Sequence, residues 1–422
     1  MALSCLTLAS TAQALDLWSA PHAGLRHLHR FGNGQDLHVM LVDLDNPEVA
    51  VVATRPEDRF ITTTEFARRY DTEVAINANF YGRGSCGLAM GDGVVFERAY
   101  EDGCGASLGF GRANESSPFD SLNIPRGPAP ATWIREVLSG KPWLLRDGRA
   151  PTAWVRPQHI YRPNPRTAVG LTGDRRTLVL LAADGRRPGV PGLTGFQLVA
   201  ALREFGVTDA VNLDGGGSTT MVVDGRIANH PSDRVERSVM THLGVRVRPG
   251  AVWWAGEVTA RGSTQDNGIG ETRELWVEAR NTGRRPWRPV TEGGGSPVLE
   301  LHDGATSYTA SVDRLTNPGE VGRFTLRWLP RRGGQHPLRA RLALPDGGLL
   351  VADALSFDVA VRDTVKPPPS RLAAPPAVAT AGLGLGGCHT TPSGPTRSAW
   401  AVLGVLGAAV AACRRRVRAV RG

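Results

Sequence analysis

Glycine and proline act first on what this chain can become. There are 51 glycines and 30 prolines among 422 residues, about a fifth of the sequence. Each interrupts the interior of a helix or strand, so the chain has to be assembled from short elements joined by many turns, which argues against a helical bundle. A hydrophobic fraction of 41% against 21% charged still allows a sizeable core and rules out wholesale disorder. The length suits two or three domains.

The net charge of +9 points at first to nucleic acid or a membrane surface. Its distribution removes the first. The basic residues are almost all arginine, Lys141 and Lys366 being the only lysines. Six arginines lie in residues 397–422, and Lys366 and Arg371 in residues 364–395, with no acid in either stretch. About +1 remains for residues 1–363, too little for a nucleic-acid partner.

Both ends read as export features. Residues 1–14 form an apolar run closed by Ala12-Gln13-Ala14, the small-x-small pattern of signal-peptide cleavage. No basic stretch precedes it, so the segment is either the end of a longer signal or a buried N-terminus. At the other end Ala399–Cys413 is apolar over 15 residues and Arg414-Arg415-Arg416-Val417-Arg418 follows. As a helix this run is about 22 Å long, short for a ~30 Å hydrocarbon core, and the arginines would hold its end in the cytoplasm. Gly387-Cys388, the apolar run and the Arg cluster resemble the tripartite C-terminal sorting signals of myxobacterial type. The plainer reading is a C-terminal membrane anchor. Either places the bulk of the chain outside the cytoplasm, at the cell surface or beyond, with sorting or membrane machinery as a partner of the tail.

Cysteine usage agrees. Cys5, Cys388 and Cys413 fall in the leading segment, the sorting region and the apolar run. Cys86 and Cys104 are left in the folded part, 18 residues apart, and a disulfide is their natural pairing in an oxidising compartment. Its loop is worth about 3 kcal/mol if unstrained. Two cysteines with no histidine between them do not make a metal site.

The chain divides into residues 1–14, a first folded unit over 15–248, a second over 251–362, a Pro/Gly/Ala tether over 363–395 and the tail over 396–422. In the first unit, 37–42 and 49–53 read as a strand pair joined by an Asp-Asn-Pro turn. Thr62-x-x-Glu65 is a capping box opening a helix through Tyr70, and Thr194-x-x-Gln197 is a second, with Leu198, Leu202 and Phe205 on one face and Gly206 as the stop. Residues 74–77 start a buried strand, 113–142 are loop-rich, and 143–149 and 167–182 carry hairpin signals. Strand pairs with few helices predict an α+β unit with a mostly antiparallel mixed sheet. Residues 251–362 hold short alternating strands, read as an all-β immunoglobulin-like sandwich for accessory positioning or glycan binding.

Three polar clusters stand out for chemistry. An apolar strand ends in Asn77-Ala78-Asn79-Phe80-Tyr81, whose amides suit either sugar hydroxyls or turn structure. Asn164-Pro165-Arg166-Thr167-Ala168-Val169-Gly170 brings a guanidinium, suited to bidentate phosphate binding, into a strand. Asn212-Leu213-Asp214-Gly215-Gly216-Gly217-Ser218-Thr219-Thr220 delivers a carboxylate into a triple-glycine turn. Three glycines allow positive φ and consecutive exposed N–H groups, an anion-binding nest; a tight hairpin with Asp as a turn residue is the structural alternative. The turn lacks the Gly-Lys-Ser/Thr of a nucleotide-binding loop.

In that order the three clusters resemble the phosphodiester glycosidase family. Ser139-Gly140-Lys141-Pro142 and Glu236-Arg237-Ser238-Val239 support the resemblance, which covers roughly residues 30–248. The first motif departs from the family pattern, with Ala78 and Tyr81 where Gly and Phe are usual. The resemblance implies hydrolysis of a sugar-1-phosphodiester at the anomeric carbon. Arg166 and the amides of Gly215, Gly216 and Gly217 are then assigned to phosphate, and Asp214 to water activation or cation stabilisation. Asn77, Asn79, Tyr81, Thr167, Asn212, Ser218, Thr219 and His242 become candidate substrate contacts. Glu65 is a second candidate catalytic carboxylate, although helix capping explains it equally. No cofactor is expected; a divalent cation beside Asp214 would suit the carboxylate, but no ligand spacing supports one. A non-catalytic surface protein that binds glycan or phosphate in exopolysaccharide assembly is the competing reading, sharing the pocket and lacking the chemistry.

Overall fold

Short apolar runs cut by glycine and proline form strands, and the chain is α+β, with mostly antiparallel sheets and few helices. The structure, a computed structural model, describes residues 14–365 apart from 83, 98–103, 122–130, 155–157, 265–267, 291–295, 305, 345–347 and 352–353. Residues 1–13 of the expected leader, 366–395 of the expected tether and the apolar tail lie outside the described residues, as do Pro125, Pro128 and Pro130, while 363–365, expected in the tether, end the strand Leu355–Val365. Among the described residues no helix is long and apolar enough to cross a membrane.

Three antiparallel sheets enclose one core. The first has seven strands, in the order Leu15–Ser19, Leu25–Gly32, Gln35–Asp43, Thr177–Ala183, Arg166–Thr172, Val207–Asn212 and Trp143–Leu145. The second pairs Val94–Glu97, Ala89–Gly91, Ile134–Gly140, Ala106–Gly111 and Ser116–Asp120. The third pairs Arg226–Ile227, Met221–Val223, Val74–Asn77, His242–Val247 and Val49–Ala53. Met40, Leu180, Phe110, Leu138, Ile76 and Val245 meet in the shared core, so all three sheets contribute.

The seven-stranded sheet is covered on both faces. Leu178, Leu180 and Ala182 point into the shared core, while Val179, Leu181 and Ala183 pack under the helix Gly195–Arg203, here α2, against Leu198 and Leu202. This explains why Thr177–Ala183 is a continuous apolar run rather than an alternating one. The helix Thr63–Tyr70, α1, buries Phe66, Ala67 and Tyr70 against Ala75 and Val222. Both helices begin at the expected caps, Thr62 and Thr194. The Thr194 box is complete. At Thr62 it is one-sided, since Glu65 turns its carboxylate to Arg68 and Arg69.

Local reading fails in three places. Residues 37–42 and 49–53 form strands but do not pair: the first lies in the seven-stranded sheet and the second beside His242–Val247 in another. Their alternation identifies them as strands, whereas the partner is chosen by sheet closure. The stretch 113–142 contains two strands, Ser116–Asp120 and Ile134–Gly140; Pro118 is tolerated because its strand is a sheet edge. At 143–149 the two-residue turn Asp147-Gly148 forms, both with positive φ, and Arg146 bridges Arg149, yet the strand Trp143–Leu145 pairs with Val207–Asn212.

Residues 256–365 build two further sheets. Gly256–Ser263, Arg273–Asn281 and Val321–Trp328 face Gly268–Ile269, Leu355–Val365, Gly334–Ala343, Val298–Asp303 and Thr306–Ser311. Their alternating strands bury Leu275, Val277, Phe324, Leu326, Trp328 and Trp287 in a separate core. Arg284 joins this part to the first, donating to the carbonyls of Pro47 (2.7 Å), Val49 and Arg112 (2.9 Å), and Trp253 Nε1 donates to Asp45 O at 3.0 Å.

Candidate active site

The triple-glycine segment is a crossover between sheets. It leaves the seven-stranded sheet at Asn212 and enters the third sheet at Met221, with one 3-10 turn at Gly216–Ser218. The hairpin alternative is therefore replaced by a sheet-to-sheet crossing, which the surrounding backbone holds tightly. Leu213 N donates to Thr167 O at 2.9 Å, Asp214 N to Ala78 O at 3.0 Å and Gly216 N to Pro165 O at 3.0 Å. All three motifs thus converge on Asp214.

Asn77 is the knot. Its Nδ2 donates to Asp214 O at 2.6 Å, and its Oδ1 accepts from Thr167 Oγ1 at 2.8 Å and from Thr220 N at 3.1 Å. Being fully buried, it braces the loop rather than meeting a ligand. Thr167 shares that bracing role.

The glycines are required for different reasons. Gly216 has φ +62° and faces Arg186 Nη2, 2.9 Å from where a Cβ would stand. A Cβ on Gly215 would come within 2.7 Å of Pro165 O, and one on Gly217 would strike Asp233 and Arg237. An open nest of amides does not form here. Gly216 N is bonded to Pro165 O and Gly215 N to the Asp214 carboxylate, so two of the three expected phosphate donors are engaged inside the protein.

Asp214 shares a cleft of about 190 Å³ with Phe80, His159, Asn164, Arg166, Arg186, Gly215 and Gly216. Burial pushes its carboxyl up to about 6, against the pull of the Ser218 hydroxyl, the Gly215 amide and the Arg237 charge. Arg166 is 2% exposed; its Nε donates to Leu193 O (2.9 Å) and its Nη2 to His159 O (2.9 Å) and Arg162 O (2.8 Å). These partners are carbonyls, none a carboxylate, so the guanidinium is fixed in place with its charge unneutralised. Burial, aided by Arg186, lowers it to about 10, and it stays protonated at neutral pH. Arg186 is exposed, sits at φ +60°, and leans on Asn164 Oδ1 at 3.3 Å. Burial and the nearby Arg166 and Lys141 lower the His159 imidazole, leaving it neutral near pH 7. Neither metal-ligand grouping among the described residues includes Asp214.

Other candidates stand elsewhere. Glu65 lies on the exposed side of α1, bonded to Arg68 at 2.8 Å and Arg69 at 2.7 Å, which pull its carboxyl down to about 2. Asn79 is buried between Ser85 Oγ (2.7 Å) and Ser139 N (2.9 Å). Asn212 donates to Lys141 O at 2.8 Å, beside the cis bond Lys141–Pro142. His242 is fully buried, stacked on Phe66 and held by Thr54, and burial lowers it to about 3, so it is a neutral core residue. Tyr81 reaches Ser238 O at 3.3 Å near the Asp233–Arg237 pair, and Ser218 and Thr219 are buried in the loop. Cys86 and Cys104 are joined in a disulfide, as expected. His159 and Arg186 escaped sequence reading. A lone histidine and one arginine among many carry no pattern, and only the fold brings them to Asp214.

Residues 70–246 match the model of the phosphodiester glycosidase family, which bears out the resemblance read from the three motifs. Among curated proteins, the N-acetylglucosamine-1-phosphodiester alpha-N-acetylglucosaminidases of Homo sapiens and Bos taurus are 30% and 33% identical to this chain over 203 residues, covering 42% of this chain and 37% and 36% of theirs. The SPbeta prophage-derived uncharacterized protein YomE of Bacillus subtilis is 28% identical over 188 residues, 43% of this chain and 29% of that one. The chain thus spans about a third of the length of these relatives. A solved structure of the zebrafish N-acetylglucosamine-1-phosphodiester alpha-N-acetylglucosaminidase catalytic domain, auto-inhibited by its pro-peptide, aligns with TM-score 0.42 and 22% identity over 56% of this chain and 83% of that one.

Proposed function

We propose that this chain is a hydrolase that cleaves a sugar-1-phosphodiester at the anomeric carbon. The observation that carries the reading is one small cleft holding a buried carboxylate, Asp214, beside two guanidinium groups, Arg166 and Arg186. Ligand pockets usually measure ~300–1,000 Å³, so this cleft suits a phosphate and the adjoining face of one sugar, with the remainder outside.

The chemistry follows from the groups present. The leaving group is a phosphate monoester, so its departure needs charge stabilisation more than protonation. Arg166, fixed by three carbonyls, and Arg186, on the rim, neutralise the phosphate oxygens as the C1–O bond breaks and its electron pair moves to oxygen. Asp214, ionised above about pH 6, takes the proton of the water that attacks C1. The products are the free sugar and a phosphate monoester. The names of the mammalian relatives make N-acetylglucosamine the first sugar to try. The Cys86–Cys104 disulfide suits an oxidising compartment, and we place the activity on extracellular or envelope glycans.

The test is sugar release from a panel of sugar-1-phosphodiesters, including methyl and p-nitrophenyl esters. Wild type should release sugar, and Asp214→Ala should not while keeping its folded spectrum. Binding of a panel member by wild type without any sugar release would overturn the enzyme reading in favour of a glycan- or phosphate-binding protein.

A further inference from the structure

A second constellation of chemistry-bearing side chains lies away from Asp214. Three of the chain's ten histidines sit on the hairpin formed by Leu25–Gly32 and Gln35–Asp43. In its register His29 stands opposite His38, and Phe31 opposite Asp36. Alternate residues of a strand share a face, so His27, His29, Asp36 and His38 all project to one side. The neighbouring strand extends the patch: Asp184 N donates to Asp36 O at 2.8 Å, and Asp184 carries His230 Nδ1 at 3.3 Å.

The donor atoms are close. His29 Nε2 is 2.9 Å from Asp36 Oδ1, and one donor atom each from His29, Asp36 and His38 lie within 4.8 Å of one another. Ligands about a tetrahedral zinc-class ion, at bonds of ~2.0–2.2 Å, stand roughly 3.3 Å apart, so a small rotation closes the set. The His29 and His38 rings stack at 4.1 Å; the His29 side chain is 34% exposed and can turn its ring toward a common point. His38, 3% exposed, is steadied by His27, whose Nε2 lies 3.1 Å from His38 Nδ1, the kind of supporting contact that orients a metal-bound imidazole. A second grouping, Asp36, Asp184 and His230, shares the Asp36 carboxylate. A cation already stands there: Arg187 Nη2 lies 2.6 Å from Asp36 Oδ2 and 3.0 Å from Asp184 Oδ2. That leaves Asp36 Oδ1, which meets His29 Nε2 at 2.9 Å, as the oxygen for a metal.

We propose that His29, Asp36 and His38 form a binding site for a divalent ion of the zinc class, with water in the fourth position. Two imidazoles and one carboxylate are a donor set that zinc accepts. The site draws on residues 29–38, ahead of the family match at 70–246, and uses no residue of the cleft. It ties the hairpin to the Asp36–Arg187–Asp184 cluster.

The full chain, stripped with chelator and with its free thiols alkylated so that Cys5, Cys388 and Cys413 take no metal, is titrated with zinc chloride by calorimetry, and with cobalt(II) by visible absorption. Wild type should bind one equivalent, with cobalt bands of nitrogen and oxygen coordination. His29→Gln, at a partly exposed position that leaves the fold intact, and Asp36→Asn should each lose more than the roughly 10–100-fold in affinity that follows removal of a supporting group alone. Absence of stoichiometric zinc binding by wild type overturns the site, and so does unchanged binding by His29→Gln.

Discussion

Arg166 and Arg284 are the same device in two places. Each is a largely buried guanidinium held by three backbone carbonyls, and burial lowers each to about 10. Their surroundings differ. Arg284 lies over the Trp253 ring at 5.3 Å and draws segments around Pro47, Val49 and Arg112 toward the second pair of sheets, with Glu115 partly balancing its charge. Arg166 instead faces a cleft shared with Asp214, and the other charge felt there is that of Arg186, which repels it. Carbonyl clamping alone is a structural staple. The same clamp lining a cleft, with no carboxylate hydrogen-bonded to it, is the arrangement that the proposed phosphate contact calls for.

The sharpest way to break this contrast is at the carboxylate. Asp214→Asn should lower kcat by about 10³-fold or more, measured as sugar release, because it removes the group proposed to take the water proton. Arg166→Lys should lower kcat/KM by about 10²–10³-fold, since an ammonium cannot hold three carbonyls in one plane and also face the phosphate of the proposed substrate. The corresponding change at Arg284, to Ala, should leave kcat per folded molecule at the wild-type value and cost on the order of 2 kcal/mol in denaturant unfolding. A large loss of kcat in Arg284→Ala would erase the distinction.

Stability should move the other way at Asp214. Its folded pKa, about 6, lies above the ordinary 3.8, so the fold favours the protonated form. The cost is absent below about pH 4, grows as pH rises to about 6, and then stays at roughly 3 kcal/mol. Asp214→Asn should therefore raise Tm at pH 7 and not at pH 4, while wild-type kcat/KM should fall as pH drops through about 6. The smallest effect is expected at Gly216, where Ala at φ +62° should cost about 1–2 kcal/mol and crowd Arg186.

Much of the fold was legible. Capping residues at Thr62 and Thr194 mark both helices because a cap is a contact between residues three apart. The hairpin of Arg166–Thr172 with Thr177–Ala183 was legible for the same reason, its turn being local. Strand partners distant in sequence were not, as the separation of residues 37–42 from 49–53 shows. In the site, Asp214 and Arg166 were readable from their motifs. Asn79, Asn212 and His242 lie in or near the same motifs but face inward, and sequence proximity does not reveal which way a side chain points.

By itself the sequence determined the short-element architecture, the helix starts, the likeness of residues 70–246 to the phosphodiester glycosidase family, and the motifs that carry Asp214 and Arg166. These depend on composition, on contacts within a few residues, and on ordered motifs. Tertiary structure alone decided that the glycine run crosses between sheets, that two of its three amides are used internally, and that His159 and Arg186 line the cleft. It also gathered His29, Asp36 and His38 with Asp184 and His230. Those outcomes rest on which strands close against each other, and that is settled by burial of a common core rather than by any local pattern.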